Sequence, residues 1–220
     1  MRSSLRFLVY QHYMNILPLG RSKLSHKRPV NFNRFWFGCA YYPEHWDESI
    51  LQADPKRMHE AGFNVVRMAE FAWTRMEPQE ENYDFSLFDT AIERLGKEGV
   101  STILCTPTAT PPRWLTVKHP EILRVNSDGV PMEHGSRQHC CHSNSLFRKY
   151  SKAITKAMAE HYAGNPNVVG WQTDNEFLCH FSECHCESCQ KGFREFLKEK
   201  YGDIDKLNSA WGDCVLVSDL

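Results

Sequence analysis

Residues 167–177 read NVVGWQTDNEF, an apolar run that passes at once into an acid, an amide and a second acid. A run of this length and composition, entered through the turn Gly164-Asn165-Pro166, predicts a buried strand over 167–173. Asp174, Asn175 and Glu176 then stand where that strand ends.

The same arrangement occurs three times upstream. FGCAYY (37–42) predicts a strand ending at Pro43, NVVRMA (64–69) a second and STILCTP (101–107) a third. Between them lie amphipathic segments. One starts at Asp47, places Ile50, Leu51, Met58 and Ala61 at helical spacing and stops at Gly62. Another, capped by Ser86, runs through Leu87, Phe88, Ala91, Ile92 and Leu95 to Glu98-Gly99. A long loop with Pro107, Pro111, Pro112 and Pro120 reaches Asn144, a length usual for functional loops. Ser143 and Ser145 precede a helix over 146–161, and a last helix spans 186–201 with Phe193, Phe196 and Leu197 on one face. Four strand–helix units whose strands lack a polar face imply an α/β fold with parallel strands covered by helices.

Two solutions fit: an open doubly wound sheet, or the first half, about four βα units, of a (β/α)8 TIM barrel. The doubly wound reading calls for a glycine-rich turn after the first strand, where Pro43-Glu44-His45-Trp46 stands instead. The four strand ends carry Tyr41, Tyr42, Glu44 and His45; Arg67 and Glu70; Thr106 and Thr108; and Asp174, Asn175 and Glu176. Barrel enzymes build their sites at that face.

The chain of 220 residues, 41% hydrophobic and 12% aromatic, is long enough for one large core. Its 26 basic and 27 acidic residues form no long runs and leave a net charge of −1, so no nucleic-acid surface is expected. No apolar run approaches the roughly 18 residues of a membrane span. Residues 1–35 read as a poorly ordered extension; Gln11, His12 and Asn15 interrupt their apolar stretch and argue against a secretory signal. Nine cysteines are an odd number, and Cys184, Cys186 and Cys189 crowd too closely for useful disulfide loops. Metal binding in a reducing, cytoplasmic compartment fits them better.

A carboxylate at the end of an apolar strand is costly unless it is hydrogen-bonded or protonated. A dry setting raises its pKa, so that the acid form can protonate a leaving oxygen near neutrality. The alternative is that Glu176 is simply the first exposed residue past the strand, paired with an arginine. Trp73 fits either core or a sugar platform, Trp114 packs the long loop, and His45 and His139 read as hydrogen-bonded structural groups.

FGCAYYPEHW, VVRMAEFAWTRMEP, GSRQHCC and GWQTDNEF, in this order, resemble the opening of the β-galactosidases of glycoside hydrolase family 42, a clan A family built on a (β/α)8 barrel. The resemblance runs from about Phe37 to Trp211 and implies that 36–220 is the N-terminal half of such a barrel. It implies a retaining hydrolase of terminal β-D-galactosyl residues, with Glu176 as general acid/base and Asn175 and Arg137 as galactosyl-binding residues. Other clan A specificities, mannosidase or arabinosidase, share the Asn-Glu pair.

Cys184-x-Cys186-x2-Cys189 offers three soft ligands, and a closed tetrahedral zinc site needs a fourth. His180 or His185 could replace one sulfur. Some family members carry a structural zinc on this triplet, and the resemblance places Cys141 as the fourth ligand. Cys39 and Cys105 read as small buried strand residues, with Cys179 and Cys214 equally unremarkable.

A retaining glycosidase needs two carboxylates about 5 Å apart. In clan A the nucleophile follows the seventh strand, so the resemblance assigns it to no residue here, and the chain alone is expected to hydrolyse little or nothing. The parent enzyme is expected to take a β-galactoside and to be a homo-oligomer. The competing reading is a non-catalytic, zinc-stabilised carbohydrate-binding or interaction fragment.

Overall fold

Four short runs rich in Val, Ile and Cys pair side by side in parallel: β1 (Gly38–Ala40), β2 (Val65–Met68), β3 (Ser101–Cys105) and β4 (Val168–Gln172). The structure, a computed structural model, describes residues 34–135, 137–177, 179 and 181–212. The expected extension over 1–35 therefore lies outside the described residues save Arg34 and Phe35, as do His180 and Cys214.

The strands stand in the order β1-β2-β3-β4, the order of the chain itself. That order separates the two solutions. A doubly wound sheet reverses direction at a switch point and shuffles its strands, whereas a barrel adds each new strand beside the last. At the β1–β2 seam Gly38 pairs with Val65, and a Cβ on Gly38 would sit 1.6 Å from the Val65 carbonyl oxygen, so only glycine allows this approach.

The helices lie between the strands. α1 (Glu48–Glu60) joins β1 to β2, α2 (Trp73–Met76) and α3 (Ser86–Lys97) join β2 to β3, and α4 (Arg113–Lys118) and α5 (Ser145–His161) join β3 to β4. After β4 come α6 (Glu187–Tyr201) and α7 (Ile204–Trp211). α3 buries Phe88, Ala91, Ile92 and Leu95, and α5 buries Phe147, Ile154 and Met158, the stripes that a 3.6-residue period sets against a sheet. They join Val66, Met68 and Leu104 in one core.

Strand residues alternate between faces. Val66, Met68, Thr102 and Leu104 share the helix-covered face and are buried. Arg67, Ile103, Gly170 and Gln172 share the other face and remain partly open.

Three expectations need correction. The strands are not uniformly dry: β1 is exposed at all three positions and Trp171 of β4 is exposed, because each outer strand lacks a strand neighbour on one side among the described residues. Cys39 is accordingly exposed, while Cys105 is buried as expected. The start of α3 is also displaced. Ser86 is the first residue of α3 rather than its cap; the cap position falls on Phe85, which makes no side-chain cap bond, and Asp84 before it accepts from the Ser86 amide (3.0 Å) and hydroxyl (2.6 Å). At α5 the cap is Asn144, whose Oδ1 accepts from the amides of Leu146 (2.9 Å) and Phe147 (3.1 Å).

The long loop is built rather than slack. It holds α4, a 3₁₀ turn at Pro120–Ile122 and an antiparallel bridge between Leu123 and Cys140. Trp114 fastens it to the β2 side by donating from Nε1 to the Glu77 carbonyl at 2.9 Å.

Candidate active site and thiol cluster

The polar residues at the strand ends converge. From β2, Arg67 donates to Glu70 Oε1 (2.7 Å) and to Gln172 Oε1 of β4 (3.0 Å), and the Tyr42 hydroxyl donates to Glu70 Oε1 (2.9 Å). Gln172 passes this contact on, its Nε2 donating to the Asp174 carbonyl at 2.8 Å. Glu70 is wholly buried and its Oε2 has no hydrogen-bond partner; both carboxylate oxygens of Glu44 are likewise buried and unpartnered. Burial holds the Glu44 carboxyl above its ordinary pKa.

Asn175 and Glu176 stand beside this floor. Arg137 Nη1 lies 2.8 Å from Glu176 Oε2, and the Arg137 guanidinium sits over the Phe71 ring, 5.5 Å from its centroid. Phe71 is itself stacked on Tyr42 at 6.1 Å. The long loop thus brings Arg137 to the residues after β4, 39 positions away in sequence.

Glu176 does not lie in a dry cleft. Its side chain is 52% exposed and its bond to Arg137 is that of a carboxylate with a cation, the alternative that the sequence also allowed. Of the two acids after β4 the buried one is Asp174, 7% exposed, which accepts from the Thr108 hydroxyl (2.8 Å), Gln138 Nε2 (3.0 Å) and the Asn175 amide (2.6 Å).

Backbone strain concentrates in the same place. Ala69, Gln138, Asp174 and Glu176 all have positive φ, at 86°, 60°, 57° and 47°. Left-handed non-glycine residues cost on the order of 1–3 kcal/mol each and persist only where the surroundings fix them, typically at functional sites.

The thiols converge too. The Sγ atoms of Cys141, Cys184, Cys186 and Cys189 lie within 4.8 Å of one another, with Cys141 3.3 Å from Cys189 and 3.4 Å from Cys186. Four sulfurs about 2.3 Å from a central ion stand about 3.8 Å apart, so the set fits a tetrahedral metal, and four thiolates leave no open position for a reacting water. Hydrogen bonds from the Cys141 and Cys189 thiols pull Cys184 below the ordinary thiol pKa, while its bond to Cys184 pushes Cys141 up. His185 is outside the set; its amide donates to the Val125 carbonyl at 2.8 Å.

Other residues fall on the structural side. Trp73 is fully buried with Nε1 on Glu77 Oε2 (2.7 Å), so it is core and not a platform. His45 stacks on Tyr42 at 5.4 Å. His139 is not the hydrogen-bonded group expected: both ring nitrogens are buried without partners, the ring packs edge-on against His134 at 4.8 Å, and burial pushes its pKa down to about 4. Gln138 and Gln172 were missed altogether. A glutamine inside an apolar strand and another beside an arginine of the long loop were the only signals.

A family model for β-galactosidase, glycoside hydrolase family 42, matches residues 40–216. The β-galactosidase YesZ of Bacillus subtilis is 48% identical over 179 residues, which are 81% of this chain and 27% of that protein. The β-galactosidase YesZ of Bacillus licheniformis is 46% identical over 179 residues, with the same two shares. Among solved structures, the β-galactosidase of the Antarctic haloarchaeon Halorubrum lacusprofundi superposes with a TM-score of 0.79 at 45% identity, over 82% of this chain and 27% of that one. The chain thus spans about a quarter of the length of the relatives it matches.

Proposed function

Because the chain belongs to glycoside hydrolase family 42, we propose that it carries the acid/base half of a retaining β-galactosidase. In this reading residues 36–220 form the N-terminal half of the barrel, preceded by an extension over 1–35. Glu176 protonates the glycosidic oxygen and later takes a proton from the attacking water. Arg137 and the Asn175 amide hold hydroxyls of the galactosyl unit. The observation that carries the reading is the meeting of Arg137 with Glu176, at 2.8 Å, on the strand-end face where barrel enzymes act.

The Arg137–Glu176 contact gives the reading a specific sequence of events. A sugar hydroxyl that engages Arg137 draws the guanidinium from Glu176 and shields the carboxyl from water, and both changes favour the protonated acid. The nucleophilic carboxylate, about 5 Å from the acid in retaining enzymes, is assigned to no residue of this chain. Glu70 does not hold the nucleophile's place in the family's motif order, and its Oε1 is held by Arg67 and Tyr42.

Zinc is the metal that four cysteine sulfurs in a closed set suit, and its role would be structural. Held by Cys141, Cys184, Cys186 and Cys189, it would fasten the loop bearing Arg137 to the segment after Glu176. Reduced thiols accord with a cytoplasmic location, and among the described residues no helix is long and apolar enough to cross a membrane. A homo-oligomeric parent enzyme belongs to the same reading. The half-exposed Glu176 supports the second reading, a carbohydrate-binding or interaction fragment without turnover.

The test is hydrolysis of a chromogenic β-galactoside by the purified chain, expected at or near background. Turnover abolished by Glu176→Gln would contradict the expected inactivity while upholding the role of the acid. Metal analysis should find zinc in the chain and lose it in Cys184→Ser; equal metal in both removes the triplet from the site.

A further inference from the structure

We propose that Asp174 is a positioning residue: clamped by Thr106, Thr108 and Gln138, it sets the backbone of Asn175 and Glu176 and couples it to the thiol-bearing loop. The consequence for catalysis rests on the reading of Glu176 as the acid; the clamp itself rests on geometry.

Every polar atom of Asp174 is engaged. Its amide donates to the Thr106 hydroxyl (2.7 Å) and its carbonyl accepts from Gln172 (2.8 Å). Its carboxylate accepts from Thr108 through one oxygen and from Gln138 and the Asn175 amide through the other. Three donors converging on one group call for a carboxylate, since an asparagine would turn an N–H2 toward one of them. The last of these bonds folds the carboxylate onto the next residue's amide, and this holds the chain in the left-handed turn that presents Glu176.

Gln138 is the second jaw. Its Nε2 donates to Asp174 and also to the Asn175 carbonyl, so its Oε1 faces His142 Nε2 at 3.0 Å as the acceptor. His142 follows Cys141, and Arg137 precedes Gln138. Two adjacent residues of one loop therefore grip the same short segment, Gln138 by its backbone and Arg137 by the Glu176 carboxylate. Gln138 itself has φ 60°, so the loop is held in one arrangement at its point of contact.

The experiment is nuclear magnetic resonance on the full 220-residue chain, reading hydrogen exchange of the Asn175 amide and the carbon chemical shift of the Glu176 carboxylate. Asp174→Asn, Gln138→Leu and Thr108→Val should speed that exchange about 10- to 100-fold and move the Glu176 signal toward a free carboxylate. Thr108→Ser, which keeps the hydroxyl, should restore both, and Asp203→Asn at the distant α7 cap should change neither. If Asp174→Asn fails to fold, Gln138→Leu and Thr108→Val decide: the second removes a single bond, the first the bonds of Gln138 to Asp174, to the Asn175 carbonyl and to His142. Unchanged Asn175 exchange and an unmoved Glu176 signal in Gln138→Leu and Thr108→Val would overturn the proposal, even if their melting temperatures fall. A chain that shows the clamp pattern yet binds no galactose sinks only the functional reading; one that binds galactose with the Asn175 amide indifferent to these variants sinks only the clamp.

Discussion

Asp174 and Glu176 are two residues apart, share left-handed backbone and have opposite surroundings. Asp174 is buried and every polar atom is bonded, to residues just past β3, in the long loop, in β4 and to the neighbouring amide. Glu176 is half exposed and held by one guanidinium. The difference separates two tasks. The buried acid spends its hydrogen-bonding capacity on shape, where removing one partner leaves others unsatisfied in a low dielectric. The exposed acid keeps a single exchangeable contact, which suits the proton-transfer role proposed for it.

The contrast can be broken most forcefully at its buried end. Asp174→Ala should destabilise the chain by about 3–5 kcal/mol in denaturant melts, because it leaves the Thr108 hydroxyl and the Gln138 amide with lost partners in the interior. Removing the proposed zinc comes next. A chelator should lower stability by about 3 kcal/mol relative to the zinc-loaded chain, the amount that a ligand at a hundredfold excess over its Kd contributes. The same treatment should leave a Cys186→Ser chain unchanged. Gln138→Leu, which removes the bonds to Asp174 and to the Asn175 carbonyl but leaves Thr108 in place, should cost about 1–3 kcal/mol. Glu176→Gln should change stability by less than about 0.5 kcal/mol, as an exposed ion pair implies; a larger loss would mean that Glu176 too is structural.

A pH titration sharpens the exposed side. Asp84, partly exposed, is held at about 2 by its bonds from Ser86 and then Arg75, below the 3.8 of the free group. Its contribution is fully present above about pH 4 and is lost as the pH falls toward 2, since the unfolded chain binds the proton first. In acid melts Asp84→Asn should lose that slope, and Glu176→Gln should retain it.

How far the sequence shows this site differs between its parts. The strands and most helices were legible because their information is local: apolar runs of strand length and 3.6-residue stripes. Strand order then separated barrel from doubly wound sheet, which periodicity cannot do. The thiol triplet was legible for the same local reason, but Cys141, 43 positions before Cys184, came only through the family resemblance. The clamp was not legible, since Thr108 and Asp174 are 66 residues apart and Gln138 and Asp174 are 36 apart. Nothing in a polar residue's type says which distant donor will meet it. The cap read at Ser86 failed by a different rule: the helix starts at Ser86 itself, and the oxygen that meets its amide belongs to Asp84, two residues earlier.

The role of Glu176 is tested most directly in a chimera, with residues 40–216 replacing the matching stretch of the Bacillus subtilis relative so that the remainder supplies the second carboxylate. The chimera should hydrolyse β-galactosides. Glu176→Gln in it should slow galactosides with poor leaving groups by about 10²–10⁴-fold while sparing the first, galactosyl-transferring step with a strongly acidic aryl leaving group, which departs without protonation. Equal rates for chimera and variant on both kinds of substrate would contradict the assignment.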